Sequence, residues 1–188
     1  MGNVFSDFEL DQLGIKFADA EAYKNANCVG SCEEEMEAKT VTKSCRGVIM
    51  KKRSRGTGNG TIKLSLHCPW DIYTEAYGMD LETLIDGVKA YGRNSVHKPF
   101  STVMHITDED GNEKLKAYPN CVLETGVVRK IENGAEEVAE IELEASVMPD
   151  EFGNGLYEAL VADLKDETVK TKWMTAFTPA LVQKTPNA

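Results

Sequence analysis

The chain has 188 residues, 41% hydrophobic and 28% charged, with a formal net charge of −10 at pH 7 and a pI near 4.9. This length suits one compact domain that buries a core without cross-links, and the negative excess argues against general attraction to nucleic acid, because that binding is driven by neutralising phosphates. No apolar run reaches the length of a membrane span, and the N-terminus, MGNVFSDFEL, lacks the basic and apolar regions of a secretory signal.

The first residues fit the Met-Gly-x-x-x-Ser pattern for myristoylation, a short pattern that often arises by chance. Residues 1–35 are the least periodic part of the chain, although DQLGIKFADA reads as a short strand. Cys28 and Cys32, with His67 or Cys68, are zinc-ligand types, but Cys-x-x-x-Cys is loose and no second close pair exists. The five cysteines are expected as free thiols in a reducing compartment, and no metal or other cofactor is expected. EEEMEA, at Glu33–Ala38, reads as a solvated face or loop.

From Lys39 strand signals are dense. TVTKSCRGVIMKK is rich in β-branched residues. The glycines of RSRGTGNG predict a turn, and TIKLSLHC then alternates, with Ile62, Leu64, Leu66 and Cys68 on one face. This reading puts the basic run Lys51, Lys52, Arg53 and Arg55 at an exposed hairpin tip. Such a tip is either a solvated turn or a contact for an acidic partner, the nearest candidate being a second copy of the chain. A nuclear-targeting or nucleic-acid patch is a further reading.

Pro69 ends that strand and can open a helix. Trp70, Tyr73 and Tyr77 have helical spacing, more in keeping with core packing than with a cofactor box. DLETLIDGVKAYG continues as a second short helix with Asp80 as its N-cap, or as a structured loop. Residues 98–123 predict a hairpin around Asp110-Gly111, and residues 126–147 predict another around Asn133-Gly134. In its return strand, Ile141, Leu143, Ala145 and Val147 share one face, while Glu140, Glu142 and Glu144 form a file on the other. Neighbours in that file lie about 7 Å apart and repel by about half a kcal/mol in water. Glu, Ala and Leu also favour helix here, but the preceding Asn-Gly step and the shared apolar face favour strand.

After Pro149, Leu156, Leu160 and Leu164 at i, i+4 and i+8 predict an amphipathic helix. Val169, Thr171, Trp173, Thr175 and Phe177 alternate and predict a terminal strand, bounded by Pro179. The expected fold class is mainly β (α+β): an antiparallel sandwich or partial barrel with one or two flanking helices. No phosphate loop or nucleophile elbow is present, and His67, His97 and His105 have no partner at metal-ligand spacing. No catalytic residue is assigned and an enzyme is not expected.

The order of elements in DEDGNEKLKAYPNCVLETGVVRKIENGAEEVAEIELEASVMPDEFGNGLYEAL, with WDIYTEAYGM upstream, resembles the major tail protein, or tail tube protein, of long-tailed (siphovirus-type) phages and prophages of Gram-positive bacteria. The match covers roughly residues 36–180. No single motif in it is specific, and inner tube proteins of contractile tails and type VI secretion are close cousins. Residues 1–35 match nothing in that pattern: they form an N-terminal arm that orders on assembly, or a strand in the monomer. Residues 36–180 would be the tube domain and 181–188 a flexible tail. The resemblance implies homo-hexameric rings stacked into a hollow virion tail, assembled in the host bacterial cytoplasm. Its partners would be other copies, a tape-measure protein and tail terminator or tip proteins, with DNA crossing the lumen unbound and no membrane involved. Under it, Glu140, Glu142 and Glu144 are candidates for the lumen wall, where carboxylates keep DNA from sticking. Lys51, Lys52, Arg53 and Arg55 are candidates for contacts between rings. A small cytoplasmic β-sandwich that recruits a protein partner is the alternative outside this family.

Overall fold

A computed structural model describes residues 5–184 except 132, 135 and 137. The strands are β1 (Glu9–Phe17), β2 (Lys24–Asn25), β3 (Val29–Cys45), β4 (Val48–Leu66), β5 (Phe100–Thr107), β6 (Glu113–Leu123), β7 (Ile141–Val147) and β8 (Tyr157–Leu160). Helix α1 (Trp70–Ala76) lies between β4 and β5; α2 (Glu167–Ala176) follows β8, and a 3-10 turn spans Pro179–Val182. Every strand pairing is antiparallel, in the order β2-β1-β5-β6-β7-β4-β3, with β8 added to β6. The chain is therefore mainly antiparallel β with two flanking helices, as its alternating segments predict.

Alternation decides which side chains go in. Leu13, Ile15 and Phe17 of β1, Ile62, Leu64 and Leu66 of β4, and Leu143, Ala145 and Val147 of β7 are all buried in one core. Helix α1 adds Ile72, Tyr73 and Ala76 to that core, with Tyr77 just beyond its end. The opposite face of β5 and β6 forms a second cluster, where Val103, Leu115 and Ala117 meet Val169, Trp173 and Phe177. The Trp173 indole donates to the Lys116 carbonyl at 3.1 Å. Residues 9–17 are thus a strand of the monomer, one of the two roles open to the N-terminal segment.

Three expectations for residues 124–188 fail. The helix predicted around Leu156, Leu160 and Leu164 is strand β8 and a turn, because Tyr157–Leu160 finds the free side of β6 between Lys114 and Ala117. The terminal strand predicted over Val169–Phe177 is instead α2. Asp166 caps it, accepting from the Thr168 and Val169 amides at 2.8 and 3.3 Å, and Val169, Trp173 and Phe177 also fit a helical i, i+4, i+8 face. The hairpin predicted around Asn133-Gly134 does not form: the described residues of 124–140 carry no strand. Glu132, Ala135 and Glu137 lie outside the described residues. Ile141–Val147 is a strand as read, but its partners are β4 and β6. Residues 77–99 take the loop alternative, while the hairpin around Asp110-Gly111 forms between β5 and β6.

β3 and β4 are 17 and 19 residues long. They turn at Arg46-Gly47, where φ is 49° and 80°, the left-handed pair that tight hairpins require. RSRGTGNG does not form the predicted turn; it runs inside β4. The register passes from Met36 opposite Gly60 to Ala38 opposite Gly56, so Thr57–Asn59 bulge from the ladder. Glycine makes this possible: a Cβ at Gly60 would lie 2.5 Å from the Glu35 carbonyl, and Gly58 has φ 83°.

The sheet curls until β3 meets β6. Lys116 of β6, with its side chain 5% exposed, places Nζ 2.6 Å from Glu34 of β3 and 2.7 Å from Asp7. The Tyr118 hydroxyl also donates to Glu34, and Lys114 contacts Asp7. Burial acts to lower the Lys116 pKa, but its hydrogen bonds to Asp7 and Glu34 hold it above the ordinary lysine value. Burial acts to raise Asp7, but hydrogen bonds from Lys114 and Lys116 hold it below the ordinary carboxylate value.

Two outcomes test this packing. Trp173→Ala should cost about 3–5 kcal/mol in urea unfolding, the expected cost of emptying an aromatic core site. The Asp7 contribution is complete above the unfolded carboxylate pKa and is lost as pH falls through the lowered folded value. The Lys116 contribution persists until pH rises through its raised value. Because Asp7 is 42% exposed, Asp7→Asn should cost under about 1 kcal/mol at pH 7. It should also make the fall in stability below about pH 4 shallower, as read by unfolding midpoints across pH.

Candidate functional site

The conspicuous chemistry of this chain lies on open surface. Among the described residues no group of three or more His, Cys, Asp or Glu side chains is placed to hold a metal ion. Two of the three histidines have close polar neighbours. His97 Nδ1 lies 2.8 Å from the Leu123 carbonyl, and His105 sits 3.2 Å from Asp11 and 3.5 Å from Glu113. All five cysteines are free. Burial pushes the Cys32 thiol up to about 11 and the Cys68 thiol up to about 12, so both are unreactive at neutral pH. Cys28 and Cys45 are exposed.

The glutamate file is only partly free. Glu142 and Glu144 stand on the outer face of β7, because Leu143, Ala145 and Val147 face the core. Glu140 precedes the strand and accepts from the Ser65 hydroxyl at 2.7 Å. Glu144 lies 3.1 Å from Lys63, its partner in register on β4. Glu33, opposite Lys63, and Glu35, opposite Thr61, extend the face onto β3. Glu33, Glu35, Glu142 and Glu144 thus share one sheet face with Lys63, and Lys130 lines a hollow with Glu140 and Glu142 at its end. The sequence shows Glu33 and Glu35 only as part of an acidic run; the β3–β4 register brings them to this face.

The basic run is not at a tip. It lies along the shaft of an arm formed by residues 38–56, every one of them exposed. Two strands of about eight residues rise about 25 Å at 3.3 Å per residue. Directly opposed residues share a face, so the pairs Lys39/Arg55, Val41/Arg53 and Lys43/Lys51 put five cations on one side. Lys52 falls on the other side, opposite Thr42, next to the hydrogen-bonded pair Thr40 and Ser54. Among the described residues none of these cations makes an ion pair. Lys39/Arg55 and Lys43/Lys51 are like-charge pairs, which disfavour an isolated hairpin. The tip carries Cys45, Arg46 and Gly47, flanked by Val48, Ile49 and Met50, each 62–65% exposed.

No family model matches the chain, and no curated protein matches it. Solved structures with a similar course of chain include the tube-terminating cap of the anti-feeding prophage, solved by cryo-EM. It is 9% identical, covers 85% of this chain and 96% of its own, and has a TM-score of 0.46. The six-fold symmetrised baseplate of the anti-feeding prophage also appears, 8% identical, covering 87% of this chain and 100% of its own, with a TM-score of 0.46.

Proposed function

We propose that this chain is a structural protein that assembles with copies of itself into stacked hexameric rings, forming the tail tube of a long-tailed phage. The observation that carries the reading is the arm of residues 38–56. It has no core of its own, exposes Val41, Val48, Ile49 and Met50, and sets like charges opposite each other. A monomer gains nothing from such an element, whereas an assembly can bury it. Among the described residues the sheet ends at β2, only two residues long, and at β3, whose outer edge pairs with no further strand, so copies have borders at which to join. The ring symmetry, the tape-measure and terminator partners and the virion location are what the sequence resemblance of residues 36–180 to tail tube proteins implies.

In this reading the outer face of β7, β4 and β3 lines the lumen. Glu142 and Glu144, flanked by Glu140 and joined by Glu33 and Glu35, repel phosphates so that DNA passes without binding. Lys63 tempers the field without reversing its sign. In this reading the function is non-enzymatic, and the tube of a contractile tail or of a secretion machine is the alternative.

Size-exclusion chromatography and negative-stain microscopy of the concentrated protein test the reading. Rings or tubes are expected; a strict monomer with a tight cellular partner would point to a binding module. The double reversal Lys52→Glu and Arg53→Glu should lower tube yield and leave the thermal unfolding of the monomer nearly unchanged, since both sites are exposed. Normal tubes from this variant would remove the arm from the contact.

A further inference from the structure

Strand directions place the two unpartnered regions at opposite ends of the molecule. β4 leaves the sheet toward the arm at Gly60, opposite Val147, and the Asp108–Asn112 turn between β5 and β6 is at this same end. At the other end, Leu66 is opposite Ile141, and α1, the 77–99 loop and the described residues of the 124–140 loop gather there. Lys98 bonds back to the Ala76 carbonyl, His97 contacts the Leu123 carbonyl, and Arg129 lies over Trp70 and Tyr73, which ties the two loops to α1.

Exposed apolar side chains follow the same division. Of fourteen large ones among the described residues, four lie on the arm and eight on α1 and these loops. The latter include Ile85, Val96, Val128, Ile131 and Val138, exposed by 60–89%. Exposed apolar groups gathered in two places mark contact surfaces better than scattered ones do. The charges are complementary. The arm carries unpaired cations, while at the loop end Lys24, Lys89 and Lys98 are held by Asp71, Glu75, Asp80 and Asp19. Among the described residues Glu82, Asp86 and Glu124 there make no ion pair, and the exposed cations beside them are Arg93, Arg129, which lies over Trp70 and Tyr73, and Lys130.

We infer that the arm tip of one copy docks on the α1, 77–99 and 124–140 surface of the next copy. Val48, Ile49 and Met50 would meet the apolar loop side chains, while the arm cations face Glu82, Asp86 and Glu124. The two surfaces differ, so the contact is heterologous and propagates head to tail along an axis. Charge pairing fixes the direction in which copies add, and apolar burial supplies the hold. This rests on the self-assembly proposed above and identifies which surface receives the arm.

Cys45 at the tip offers a direct test. In a Cys28→Ser chain it is the exposed thiol, and Cys45 carrying a benzophenone maleimide reports what lies beside the tip on irradiation. Cross-links to peptides within 77–99 or 124–140 are expected; cross-links to the outer face of β3, β4 and β7 would overturn the docking and leave assembly intact. Absence of any assembly in the unlabelled wild-type chain removes both readings. A charge exchange decides the matter if the label blocks assembly. Arm reversal (Lys51→Glu with Arg53→Glu) and loop reversal (Glu82→Lys with Asp86→Lys) should each lower the assembled fraction by about ten-fold. The chain carrying all four substitutions should recover it. Failure to recover, with thermal melts showing every variant folded, overturns the docking.

Discussion

The β3–β4 ladder is the constraint on which the rest depends. Its lower half is fixed because Ile62, Leu64 and Leu66 are buried between β3 and β7. Each such side chain is worth about 1.5–3 kcal/mol relative to exposure. The upper half has no such support. It persists because the same two strands continue without a break in hydrogen bonding, apart from the glycine bulge at Thr57–Asn59 and smaller register shifts. Core burial at one end thus holds out an arm whose cross-strand cations would otherwise favour opening.

Charge is sorted along this ladder. Near the sheet its outer face is acidic, with Glu33 and Glu35 on β3 beside Glu142 and Glu144 on β7. Past the bulge, one face carries Lys39, Lys43, Lys51, Arg53 and Arg55. With a screening length of about 8 Å at physiological salt, an arm about 25 Å long keeps its positive field separate from the acidic sheet. A net charge of −10 makes free copies repel one another, and the arm is a region of opposite sign. Closure of the sheet uses charge differently: Lys116 is nearly buried and bonded to two carboxylates, so it fixes β3 over β6.

Where alternation and packing agreed, the elements were legible from the residues. The Ile62–Leu66 and Ile141–Val147 strands, the β5–β6 hairpin and α1 all show this. Where two periods fit one segment, tertiary contacts chose. Leu156, Leu160 and Leu164 fit a helix, but β6 had an unsatisfied side, and Val169–Phe177 fit a strand, but Asp166 and the Val103–Leu115–Ala117 surface favoured a helix. For the candidate surfaces, the residues were legible and their positions were not. Lys51, Lys52, Arg53 and Arg55 read as one basic cluster, yet β geometry divides Lys52 from the others.

By itself the sequence determined composition, charge, the period of each apolar file and hence a mainly β fold, because these depend on residues a few positions apart. Only the tertiary structure decided that RSRGTGNG bulges instead of turning, that Glu33 and Glu35 join Glu142 and Glu144, and that basic arm and apolar loops sit at opposite ends. Those features depend on strand register and direction, which are set by contacts between residues far apart in the chain and are not encoded in any local pattern.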